Sequence, residues 1–99
     1  MKKECACALD FFDVMEAREE LRKAVLRGEG IDAWGWADKL RERLKLLEET
    51  CGVDTSFERE RLSELLRIPP WKEKEVVEAG KSFLRSERIL EKMIECARG

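Results

Sequence analysis

Ala33-Trp34-Gly35-Trp36-Ala37-Asp38-Lys39-Leu40-Arg41-Glu42-Arg43-Leu44-Lys45-Leu46-Leu47-Glu48-Glu49-Thr50-Cys51 is the stretch whose pattern decides the fold. Ala33, Ala37, Leu40, Leu44, Leu47 and Cys51 advance in steps of 4, 3, 4, 3 and 4 residues. That spacing stacks side chains along one side of an α-helix, whereas a half-buried strand would alternate apolar and polar residues. A long helix with such a seam must cover it with something. Asp32 is placed to act as its N-cap and Gly52 to end it, so a helix reaching about Thr50 is expected.

The covering element lies immediately upstream. From about Glu4 to Arg27, the residues Cys7, Phe11, Val14, Met15, Leu21 and Val25 fall on one side of a helix, and Gly28-Glu29-Gly30 stops it. The turn between the two helices is short, which predicts an antiparallel hairpin.

Downstream, Thr55-Ser56-Phe57-Glu58 reads as a capping box opening a third helix that carries Phe57, Leu62, Leu65 and Leu66. Pro69-Pro70 ends that helix, and Pro70 is suited to open the next. From Trp71 to about Ala97, Val76, Gly80, Phe83, Leu90, Ile94 and Ala97 keep a helical spacing with Ile89 and Met93 alongside; Gly80 and Ser82 mark an expected kink. The expectation is an all-α antiparallel bundle of four to five helices, residues 1–99 forming a single domain, with the C-terminal helices folding across the long hairpin.

Composition narrows the chemistry. The 99 residues contain no His and no Tyr, and Asn and Gln are missing too. A Ser–His–acid triad, a Cys–His dyad and imidazole metal ligation are thereby excluded. Lacking amides while being 42% charged is a bias expected of a thermophile protein. With 20 basic and 22 acidic side chains the formal charge is −2, without the basic excess of a polyanion binder. No run approaches the ~18 apolar residues of a membrane span, and the first residues do not form a signal-peptide core, so a cytoplasmic location with no membrane partner is expected.

Four cysteines gather by topology. In an up-down hairpin Cys5, Cys7 and Cys51 share one end, and Cys96 joins them if the last segment runs back that way. Three readings stay open: disulfides stabilising by roughly 2–4 kcal/mol each, a four-thiolate metal site for which Cys-x-Cys is an unusual spacing, and small core residues beside a fraying terminus. Arg18 falls inside the apolar stripe of the first helix, where it pairs with a carboxylate of another helix or clamps an anion.

Glu16, Glu19, Glu20, Glu48, Glu49, Glu87, Glu91 and Glu95 supply carboxylates, but Glu19–Lys23, Lys45–Glu49, Arg88–Glu91 and Lys92–Glu95 are spaced as surface ion pairs. The helices flanking Pro69-Pro70 have the outline of a helix-turn-helix, yet Glu73, Glu75 and Glu78 oppose Lys72, Lys74, Lys81 and Arg85 on the would-be recognition helix. Trp36 is assigned to the core, and Trp34 and Trp71 are candidate interface residues.

The function expected is therefore a non-enzymatic helical interaction or assembly module, with a protein partner or a second copy of itself and no cofactor. Alternatives are a nucleic-acid-binding domain built around Pro69-Pro70 and a glutamate- and Mg²⁺-dependent bundle hydrolase.

Overall fold

The computed structural model describes residues 8–98, and side chains as far as residue 95. Five helices follow one another: α1 (Ala8–Leu26), α2 (Gly30–Cys51), α3 (Ser56–Leu66), α4 (Glu73–Ser86) and α5 (Ile89–Arg98). The fold is an all-α bundle. Every residue of the α2 seam is buried, and Phe11, Val14, Leu21 and Val25 of α1 close over it as expected, joined by Ala17 and Ala24. Met15 is only partly covered, and Cys7 lies outside the described residues.

The helices run up, down, up and down. Asp10 at the start of α1 meets Thr50 at the end of α2 (3.3 Å), and Arg43 donates to the Asp13 carbonyl (2.8 Å). α3 returns along α2: Thr55 Oγ1 donates to the Leu44 carbonyl (3.1 Å) and Trp34 Nε1 to the Ile68 carbonyl (2.9 Å). α4 starts beside Gly30, passes Val25 and ends at Arg18. α5 continues in the same sense, its Lys92 reaching Asp54 and Glu58 at the start of α3. The C-terminal helices thus form a fourth rod alongside the hairpin rather than crossing it.

Local differences from the sequence reading have physical causes. Asp32 is not the N-cap of α2. The helix begins three residues earlier, with Glu29 at the N-cap position, because the Gly30 N–H is taken by the Glu73 carboxylate (3.0 Å) and Glu29 accepts the first intrahelical bond, from Ala33. At α3 no capping box forms. Thr55 turns its hydroxyl toward α2, Asp54 receives the Ser56 N–H (3.0 Å), and Glu58 faces inward. Phe57 remains exposed on the flank of α3.

The segment after Pro69-Pro70 is a turn closed by a bond from Lys72 N–H to the Pro69 carbonyl, so neither Pro70 nor Trp71 opens α4. Nor does Gly80 kink the chain. It lies within α4 at a close helix crossing, where an added Cβ would stand 2.6 Å from Val25 Cγ2. The interruption falls instead at Glu87-Arg88, where Glu87 adopts an extended conformation (ψ 153°). That break resets the helical phase: Ile89 and Met93 turn inward, and Leu90 and Ile94 turn out.

Candidate interaction surface

Polar groups inside the bundle are answered by other parts of the chain. Arg18 Nε donates to Glu87 Oε1 at 2.7 Å, and the second oxygen of Glu87 accepts the Ile89 N–H at 2.7 Å. The misplaced arginine of the α1 stripe therefore holds the α4–α5 junction. Glu58, 1% exposed, performs the same task from α3: it accepts from the Arg88 N–H and from Lys92 Nζ. Sequence spacing had paired Lys92 with Glu95 on the surface. The inward ion pair was hidden because it joins residues 34 positions apart. No buried side-chain nitrogen or oxygen among the described residues lacks a partner.

Several carboxylates on the outer face are also engaged, although no ion pair joins Lys45 and Glu49 among the described residues. Glu19 pairs with Arg22 rather than Lys23, and that hydrogen bond holds its pKa below the usual value; Lys23 turns to Glu20 (3.5 Å). Arg88 and Glu91 approach to 3.8 Å, as their spacing suggests. Glu48 receives the Thr55 N–H (2.8 Å) and the Arg59 guanidinium, and both lower its pKa. At the other end of the bundle the neighbouring Asp32 carboxylate disfavours a charge on Glu29 and raises its pKa. Among the described residues, no group of three or more acidic, Cys or His side chains is arranged to hold a metal ion.

Cys51 is buried at the end of α2, its Sγ 3.5 Å from Asp10 Oδ2 in the first turn of α1. Cys5 and Cys7 lie outside the described residues, as does the side chain of Cys96.

The tryptophans separate into different environments. Trp34 is no exposed anchor: it packs partly against the core and its indole N–H is fixed to the Ile68 carbonyl. Trp36 is a half-buried edge residue, with Lys39 Nζ 4.5 Å above its ring. Trp71 alone of the three stands out, 76% exposed on the turn after two prolines. It adjoins Lys72, Glu73, Lys74 and Glu75, so the ring is rimmed by charges of both signs, and the Glu73 carboxylate accepts the first N–H of α2. A shallow open depression lined by Gly28, Glu73, Lys74 and Val77 lies next to it.

Other large apolar side chains at the surface are Leu9, Phe12 and Leu26 on α1, Ile31 and Leu46 on α2, and Leu90 and Ile94 on α5. Sequence periodicity misread Leu90 and Ile94 because it ran unbroken through the junction at Glu87. No helix among the described residues is long and apolar enough to cross a membrane. The chain matches no family model, no curated protein and no solved structure in comparisons with all three.

Proposed function

We propose that the protein is a non-enzymatic interaction module that anchors a protein partner through Trp71. One observation carries this reading. The largest apolar side-chain type is presented to solvent on a short proline-stiffened turn. A tryptophan held on a rigid turn loses little conformational entropy on docking, and its area makes it a common source of binding energy. The mixed charges beside it, Lys72, Glu73, Lys74 and Glu75, favour a partner with an apolar socket and a polar rim.

A second proposal concerns the opposite end. We infer a disulfide between Cys51 and the Cys5-Ala6-Cys7 segment. It is supported by the burial of Cys51 and its proximity to Asp10, three residues after Cys7. In a small bundle such a staple would offset part of the modest apolar burial available.

The first proposal is tested by affinity isolation from the source cells with the wild-type chain and Trp71→Ala, after both are shown to melt at the same temperature. A stoichiometric protein held by the wild type and lost by the variant is expected. Salt-dependent recovery of nucleic acid instead, or a melting shift induced by Mg²⁺ and nucleotide, would overturn it.

A further inference from the structure

We propose that the outer face of α1 pairs antiparallel with the same face of a second copy of this chain. This deepens the interaction reading by naming one partner and a surface distinct from Trp71. Phe12 is 64% exposed and Leu26 is 70% exposed. On a helix rising 1.5 Å per residue they stand about 21 Å apart, within about 40° of one line along the surface. Glu19 lies midway between them in sequence and in direction. A two-fold axis through Glu19 therefore exchanges Phe12 of one copy with Leu26 of the other, the self-complementarity that a symmetric dimer demands.

Charge supplies the second argument. On this face of α1, Glu16 precedes the midpoint and Lys23 follows it, both exposed; within the chain Glu16 lies 3.3 Å from Arg43 and Lys23 3.5 Å from Glu20. Antiparallel pairing sets Glu16 of each helix against Lys23 of its partner. Parallel pairing would oppose like charges. At the axis each Glu19 is already bound to its own Arg22, so the two meet as neutralised pairs. The face leaves the core untouched, since Phe11, Val14, Ala17, Leu21, Ala24 and Val25 all point to the other side of α1.

One helix of this length covers less than a standard interface, so association is expected to be weak, with Kd on the order of 10–500 µM. Sedimentation equilibrium from about 10 µM to about 1 mM resolves that range. The wild type is expected to form dimers as concentration rises. Phe12→Glu, at an exposed site, is expected to raise Kd about tenfold or more without changing the melting curve at low concentration. Glu16→Lys and Lys23→Glu should each weaken self-association, because each sets like charges across the axis. Mixed in equal amounts, these two variants are expected to recover dimers, since every cross-pair is then attractive.

A wild type that stays monomeric at about 1 mM overturns the proposal. So does a dimer that ignores Phe12→Glu but is broken by Trp71→Ala or Leu90→Glu, which would place the contact elsewhere. A Trp71-dependent partner retained by a monomeric chain would sink only the α1 pairing. An α1 dimer with no Trp71-dependent partner would sink only the other reading.

Discussion

Three Gly→Ala substitutions in helices distinguish propensity from packing. At Gly35 of α2 an added Cβ meets nothing within 4 Å. Alanine there is expected to stabilise by up to ~1 kcal/mol, the ordinary helix-propensity difference. At Gly80 the same propensity gain applies, but the Cβ would sit 2.6 Å from Val25 Cγ2, where ordinary contact begins at 3.4 Å. About 0.8 Å must come from moving α1 away from α4 or from forcing Val25 off its rotamer, and overpacking of this kind costs ~1–3 kcal/mol. The net expectation for Gly80→Ala is a loss of about 1 kcal/mol. At Gly30 the Cβ would fall 2.5 Å from the Cα of Glu73, so backbone rather than a methyl group must yield. The substitution also threatens the bond from the Gly30 N–H to Glu73, and a loss of about 2–4 kcal/mol is expected. Urea titrations of the three variants give the order directly. The decisive comparison is Gly80→Ala with Val25→Ala: the double variant should lose less than the sum of the singles by about 1 kcal/mol or more. If Gly80→Ala were as stabilising as Gly35→Ala, the close crossing of α1 and α4 would be wrong.

Other expectations follow from the ion pairs and the thiols. Arg18→Met leaves Glu87 buried without its guanidinium. It should cost about 1–3 kcal/mol, discounted from a fully buried pair because Arg18 is partly exposed, whereas Arg43→Met at the exposed pair with Glu16 should cost under about 1 kcal/mol by the same titration. Lys92→Met removes the cation from buried Glu58, and hydrogen exchange should show α5 opening well before the rest of the bundle. The pKa values of Glu48 and Asp54 are lowered on folding, so their contribution is complete above the ordinary carboxylate values of 4.5 and 3.8 and fades as pH falls through the lowered ones. Glu29 acts in the opposite sense: its pKa is raised, so its contribution is present below 4.5 and is lost as pH rises through the raised value. Glu48→Gln should accordingly flatten the acid limb of a stability–pH curve, and Asp32→Ala should remove the Glu29 effect. Non-reducing intact mass should show two hydrogens missing for each bridge formed, and peptide mapping should assign Cys51 to the amino-terminal segment.

The hairpin was legible because its information is local and periodic. Six seam positions in α2 and the stripe in α1 specify both helices and their antiparallel contact, and Gly28 (φ 71°) and Gly52 (φ 72°) occupy the left-handed stops their positions suggest. The caps were not legible. Asp32 and Thr55 have the right side chains for capping, but a carboxylate 43 residues away satisfies Gly30, and Thr55 is drawn toward α2. Short-range capping rules yield when a tertiary partner supplies a better bond.

The α4–α5 junction shows why the remainder was hidden. Periodicity through Leu90 and Ile94 favours one continuous helix, yet two buried carboxylates hold the chain open: Glu87 accepts the Ile89 N–H and Glu58 accepts the Arg88 N–H. A helix carried straight through would put Leu90 where Ile89 now lies and would turn these amides back to their own helix. Glu58 would then be left buried with one partner fewer, at a cost of ~1–3 kcal/mol. Polar satisfaction thus outweighs the apolar pattern at this point, and Leu90 and Ile94 remain on the surface as a result. Their exposure is a consequence of how the interior is closed. Phe12 and Leu26 have no such explanation, since nothing in α1 interrupts the helical phase between them, and the proposed pairing of α1 with a second copy would cover both.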